Sequence, residues 1–185
     1  FSYGNNISFE EIILSNNTAL GDDSEQGSGG GMFIHGSPVL TNVTAKYNRA
    51  NYGNGGGISI ADNPTITGLD LYGNYCSGSG GGLQGNGQIS INDFLIINNT
   101  ADDNGGGIFL QSNSSTLRNG SVGFNQANTE KGGGLYIYGQ VDLSQLTIAN
   151  NTSLLDGGGI YFRESQSTID SSSIISNESS QGING

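Results

Sequence analysis

Six times along the chain three glycines precede an aliphatic residue. They are Gly29-Gly30-Gly31-Met32, Gly55-Gly56-Gly57-Ile58, Gly80-Gly81-Gly82-Leu83, Gly105-Gly106-Gly107-Ile108, Gly132-Gly133-Gly134-Leu135 and Gly157-Gly158-Gly159-Ile160. The third glycines fall at 31, 57, 82, 107, 134 and 159, a period of 25–27 residues. A fixed period of this length is the signature of a solenoid, in which one small unit is stacked on copies of itself.

A second marker lies between the triplets: an apolar residue with asparagine three positions on. The pairs are Leu14/Asn17, Ala45/Asn48, Leu71/Asn74, Ile96/Asn99, Val122/Asn125, Ile148/Asn151 and Ile174/Asn177. Further columns stand five before the asparagine (Ile12, Val43, Leu69, Phe94, Gly120, Leu146, Ser172) and eight before it (Phe9, Leu40, Ile66, Ile91, Leu117, Leu143, Ile169). After each triplet the pattern is apolar-x-apolar, as in Ile108/Leu110, with Leu83/Gly85 the weak copy. Short runs of period 2 are strands with one buried face, and no run has the helical period. The expected fold is all-β: a right-handed parallel β-helix of about seven coils with three short strands per coil, one domain over 1–185. At about 4.8 Å per coil it would be a rod roughly 30 Å long.

Asn48, Asn74, Asn99, Asn125, Asn151 and Asn177 are expected to form a structural ladder. An inward asparagine in a turn satisfies buried backbone groups and can bond to its equivalent one coil away. The glycines suggest a corner too tight for side chains. A phosphate-cradling loop would need a following helix and usually a lysine, whereas a strand follows each triplet.

Composition narrows the function classes. Five Lys+Arg against sixteen Asp+Glu give a net charge of −11, which disfavours nucleic acid and anionic membrane surfaces as partners. No stretch approaches the roughly 20 apolar residues of a spanning helix. Phe1-Ser2-Tyr3 lacks the basic start and apolar core of a signal peptide, so the chain reads as a mature protein or an excised segment. The single cysteine, Cys76, excludes an internal disulfide and reads as a small turn residue, with intermolecular pairing the alternative. Asn6, Asn16, Asn42, Asn98, Asn113, Asn119 and Asn150 head glycosylation sequons and suggest a secreted glycoprotein if the source is a eukaryote. Asn177 also heads one, in competition with its ladder role.

No cofactor is expected. Aspartates before the triplets are irregularly placed, unlike those of calcium-binding nonapeptide repeats. Asp102/Asp103 is where a Ca²⁺ would sit, and a solvated acidic turn is the plainer reading. Asp70, Asp93 and Asp170 are scattered, and none of Lys46, Arg49, Arg118, Lys131 and Arg163 is in register with a carboxylate pair, so no enzyme is expected. His35, the only histidine, reads as surface. Thr65-x-Thr67 occurs once, which argues against a regular ice-binding threonine array. Between the two buried residues after each triplet lie Phe33, Ser59, Gln84, Phe109, Tyr136 and Tyr161, with Tyr138 on the same face. The aromatics form an outward stripe that could meet a partner or a glycan, the plainer reading being that aromatics favour strands and stack in columns.

The loop Ala19 to Ser28 is long and acidic (Asp22, Asp23, Glu25), and Gly182-Ile183-Asn184-Gly185 is a degenerate corner. Neither end offers an evident cap, so flanking coils or end-to-end self-association, as in a fibre, are expected.

The paired markers resemble the repeats of the chlamydial polymorphic outer-membrane proteins, which carry Gly-Gly-Ala-aliphatic and Phe-x-x-Asn. Here the third small residue is glycine, and no Phe stands three before a ladder asparagine. That resemblance covers about Ile7 to Asn177, and its departures widen it to right-handed β-helix surface proteins resembling the pectin-lyase-like superfamily. It implies a non-catalytic extracellular structural or adhesive module, part of a cell-surface protein or fibre. The alternative is a carbohydrate-active enzyme or glycan-binding β-helix.

Overall fold

A computed structural model describes residues 2–21 and 27–181, with side chains from residue 7 onward. Expectations for Asn6, for the acidic Asp22, Asp23 and Glu25, and for the Gly182–Gly185 corner lie outside the described residues or side chains. All described regular structure is β, and every strand pairing is parallel. The strands form a 12-stranded and a 7-stranded sheet. Chain segments one repeat apart are hydrogen-bonded neighbours, for example Leu40 with Ile66 and Ile66 with Ile91. The chain is a parallel β-solenoid of about 6 turns, close to the expected seven coils. The narrow sheet has seven levels, from Thr18–Ala19 to Glu178–Ser179.

The coils from Met32 to Ser153 have a first strand after the triplet, a longer second strand, and a third of two residues; in the last coil the second strand is split into Thr168–Asp170 and Ser173–Ile175. In three coils the first two are continuous: Met32–Lys46, Ile108–Gly123 and Leu135–Ala149. There the chain rounds the corner while staying paired to a neighbouring coil.

The spacing of the apolar columns now has a cause. Inward residues fall eight, five and three positions before the asparagine, so steps of three and two alternate. A strand alone gives steps of two. Each step of three contains one residue in the left-handed region. Asn42, Gly68, Asp93, Asn119 and Gln145 occupy it between the first two columns, and Tyr47, Gly73, Asn98, Phe124 and Asn150 occupy it before the asparagine. The residue turns the wall and restores the inward phase.

The triplet uses its glycines for different reasons. Gly105 has φ 65°, and a Cβ on Gly106 would lie 2.4–2.5 Å from the backbone of Gln126 in the next coil. A Cβ on Gly107 would lie 2.7 Å from the Gly134 carbonyl oxygen and 3.0 Å from the Asn125 amide. The corner also has a uniform hydrogen-bond direction. The amides of Gly105, Gly106, Gly107 and Ile108 all donate to the following coil, as do those of Gly55, Gly56, Gly57 and Ile58.

The apolar columns merge into one core, including Leu40, Ile58, Ile66, Leu69, Leu83, Ile96, Ile108 and Leu135. Its two weak copies are filled from neighbouring positions. A Cβ on Gly120 would lie 2.3 Å from the Phe94 ring one coil earlier, and a Cβ on Gly85 would lie 2.3 Å from Ile89 and 2.6 Å from Leu110. A second cluster of small residues joins Ala50, Cys76 and Ala101 under the short third strands. Cys76 therefore lies in a strand, paired to Ala50 and Ala101, and not in a turn. It is fully buried, and burial pushes its thiol up to about 12. Both facts exclude it from disulfide exchange in the folded chain.

Candidate binding surface

The asparagines form an unbroken side-chain relay through the interior. Asn17 Nδ2 donates to Asn48 Oδ1 at 2.9 Å, and the same bond runs from Asn48 to Asn74, Asn74 to Asn99, Asn99 to Asn125, Asn125 to Asn151 and Asn151 to Asn177 at 2.9–3.0 Å. Each Oδ1 also accepts the backbone N–H of the preceding asparagine, as Asn125 does from Asn99 at 2.9 Å. The second Nδ2 hydrogen reaches a carbonyl of the coil before, for example Asn99 to Leu71 at 3.0 Å. Asn17 belongs to the relay as well. These amides are committed to the stack, so a binding surface has to be sought outside.

Of the sequon asparagines whose side chains are described, Asn16, Asn42, Asn98, Asn113, Asn119 and Asn150 are exposed. Five of them, Asn113 excepted, have φ between 53° and 57°. Asparagine tolerates that region better than most residues. Three sequons follow from coil geometry: Asn98-Asn99-Thr100 is a left-handed corner residue, a ladder residue and an outward β-branched strand residue, and Asn16 and Asn150 head equivalent triplets. Asn177 is half-buried, and its amide bonds to Asn151 and Ile148.

The outward column of the first strands runs Phe33, Ser59, Gln84, Phe109, Tyr136, Tyr161 in register. It is not a continuous aromatic stripe. Ser59 and Gln84 interrupt it, with the Ser59 hydroxyl donating to Gln84 Oε1 at 2.6 Å, and both are buried. Phe33, on the far side of them, packs against His35 with ring centroids 4.9 Å apart. Phe109, Tyr136 and Tyr161 stack at 5.1 Å between successive centroids. Tyr136, expected as exposed, is only 6% exposed, because a ring covers it on each side. Lys131 closes the stack. Its Nζ lies 4.6 Å from the Tyr161 centroid, donates to the Tyr161 hydroxyl at 3.3 Å and pairs with Asp156 at 2.9 Å. The Asp156 bond, then the Tyr161 bond, raise the Lys131 pKa.

The next outward column contains Ala61, Asn86, Gln111, Tyr138 and Arg163. Beside it run the corner residues Gly87, Ser112, Gly139 and Glu164. Asn86, Gln111 and Tyr138 of the column, with Gly87, Ser112, Gly139 and Glu164 of the corners, line an open groove of about 450 Å³ with Asn113 on its rim. Tyr138 donates to Glu164 Oε2 at 3.1 Å, and Arg163 lies 5.4 Å from the Tyr138 ring centroid and 3.7 Å from Glu164 Oε1. Tyr138, expected beside the aromatic stripe, belongs to this groove. Apart from the Asn113 sequon, the other lining residues carry no sequence signal, because the groove is made by corner backbone and not by a repeated residue type.

Asp102 accepts from the Tyr75 hydroxyl at 2.5 Å and from Asn128 Nδ2 at 2.8 Å, while Arg49 lies over the Tyr75 ring at 3.9 Å. The neighbouring Asp103 has a raised pKa, from burial first and then from Glu130 and Asp102. Among the described residues no group of three or more His, Cys, Asp or Glu could hold a metal ion. His35 Nδ1 stands 4.0 Å from Asp62 Oδ2.

Two stretches, residues 93–111 and 145–163, match the model of the Chlamydia polymorphic membrane protein repeat. No curated protein and no solved structure matches the chain. Both matched stretches start on a left-handed residue, Asp93 or Gln145, and run through a ladder asparagine and a glycine triplet. They end at Gln111 and Arg163, in the outward column beside the groove. Two coils of this solenoid are thus similar to that repeat, which carries a β-helix fold and points to a surface or outer-membrane protein module.

Proposed function

We propose that the chain is a non-catalytic structural and adhesive module of a cell-surface protein, a rigid spacer whose outer faces make the contacts. One observation carries the reading. The recurring residues, glycine triplet and asparagine, are consumed by coil-to-coil bonding, whereas the outward columns vary from coil to coil. A repeat built this way holds its backbone constant while its surface is free to diversify, which suits recognition on a scaffold. The match to a membrane-protein repeat supports the location. Coil-on-coil association belongs to the same reading, because any coil with these markers, from this chain or another copy, meets donors with acceptors.

The test is adhesion. Beads coated with the purified chain should bind to cultured cells more than beads coated with its urea-denatured form, and soluble chain should compete. Equal binding by both bead types would refute an adhesive role. Release of reducing ends from a polysaccharide panel would refute the non-catalytic reading.

A further inference from the structure

We propose that the groove lined by Asn86, Gln111, Asn113, Tyr138 and Glu164 is a binding site for a neutral oligosaccharide laid along the solenoid axis. This deepens the adhesive reading and rests on it. The groove spans the levels of Asn86, Gln111, Tyr138 and Glu164. Three inter-coil steps at about 4.8 Å make it roughly 14 Å long. Its volume of about 450 Å³ is in the range of small-molecule sites.

The floor is backbone. Gly87 and Gly139 have φ of 112° and 94°, and a Cβ there would lie 2.2 Å from the Asp62 carbonyl oxygen or 2.0 Å from that of Ser112. Ser112 between them is tied down by its 2.6 Å bond to Ser115. The rim comes from a local insertion. Against Gly139 to Val141, the stretch Ser112 to Ser115 carries one extra residue, and Asn113 projects from that bulge. Bulges commonly re-aim a side chain at a site.

The wall chemistry identifies the ligand class. No hydrogen bond within the described residues engages the side-chain amides of Asn86, Gln111 or Asn113. Each retains donors and an acceptor directed at solvent or a ligand, a set that matches hydroxyl groups able to do both. Tyr138 contributes a flat, half-buried ring with a polar tip. Glu164, paired with Arg163 at 3.7 Å, still presents acceptor oxygens, and the chain's net charge of −11 selects against anionic sugars. The Phe109–Tyr136–Tyr161 stack offers less, because its central ring is covered by its neighbours.

The experiment titrates the isotope-labelled chain with cellotriose, maltotriose or tri-N-acetylchitotriose, following side-chain amide signals by NMR, with 3′-sialyllactose as the anionic control. At least one neutral trisaccharide should shift the Asn86, Gln111 and Asn113 amides saturably. Gln111→Ala and Tyr138→Ala should each weaken binding about tenfold, equivalent to about 1.4 kcal/mol. Both variants should keep the parent circular-dichroism spectrum, and Thr147→Ala, on another face, should bind like the parent. The proposal is overturned if all three neutral sugars bind with Kd above about 10 mM. It is equally overturned if both groove variants bind normally, if sialyllactose binds as well as the neutral sugars, or if only Tyr161→Ala loses binding. Bead adhesion without sugar binding would sink the groove while sparing the adhesive reading. Sugar binding without adhesion would do the reverse.

Discussion

Replacing Asn99 by alanine tests whether the side-chain relay holds the coils together. Asn99 is fully buried. Its Oδ1 accepts from Asn74 N and Asn74 Nδ2, each at 2.9 Å, and its Nδ2 donates to Asn125 Oδ1 at 3.0 Å and Leu71 O at 3.0 Å. Asn99→Ala leaves the Asn74 N–H, one Asn74 Nδ2 hydrogen and the Leu71 carbonyl without these partners. Asn125 Oδ1 keeps the backbone donor of residue 99. A buried polar group stripped of its partner costs about 1–3 kcal/mol, so three of them cost about 3–6 kcal/mol after some relaxation. That is a large part of a typical domain's 5–15 kcal/mol. Asn177→Ala is the internal comparison. Its site is half-buried, so water can reach the groups it abandons, and the loss should be about 1 kcal/mol. Urea titration followed by far-ultraviolet circular dichroism gives both values. A loss below about 1 kcal/mol for Asn99→Ala, or equal losses for the two variants, would refute the reasoning.

Three further outcomes are expected. Gly106→Ala drives a Cβ into the Gln126 backbone and should cost more than about 3 kcal/mol, whereas Gly123→Ala meets its nearest atom at 3.4 Å and should stay within about 1 kcal/mol of the parent; similar thermal midpoints for the two would contradict the corner geometry. Gly120→Ala should destabilise by about 1–3 kcal/mol through overpacking against Phe94, and Phe94→Leu should recover part of that loss in a double-mutant cycle; strict additivity would mean the ring does not fill the gap. Asp103 has a folded-state pKa above its unfolded one, so its charge opposes folding once pH exceeds both, and that penalty disappears below the unfolded value. Asp103→Asn should therefore raise the urea midpoint at pH 7 and leave it unchanged near pH 3; an equal gain at both would assign the effect to something other than charge.

The sequence shows this architecture plainly because stacking repeats a demand at every level. Glycine recurs wherever backbone of the next coil fills the space of a Cβ, and asparagine wherever one side chain must both donate and accept. Other positions repeat a conformation without repeating a residue. Asn42, Gly68, Asp93, Asn119 and Gln145 share one left-handed geometry. Several residue types tolerate it at a solvent-facing corner, so no column is visible. Gly120 looks like a lapse in an apolar column until Phe94 is placed one level below it. That relation needs the register and not just the period. The groove was hidden for the same reason, since its floor is backbone and its rim a one-residue bulge. Tyr136 is outward yet covered, because alternation marks a residue as outward without saying what packs over it.

The uniform direction of the corner amides gives the molecule an electrical axis. In ordinary strands successive peptide dipoles alternate and nearly cancel. Here the corner N–H groups of each coil point toward the following one, and the asparagine side chains align the same way. The dipoles add along the stack much as they do in a helix, with the positive pole toward the later coils. A coil copied in tandem presents the correct polarity to both neighbours, whereas a coil turned end for end would set donor against donor at two places in its circumference. Such a chain can lengthen by duplication of its repeats but cannot accept one reversed.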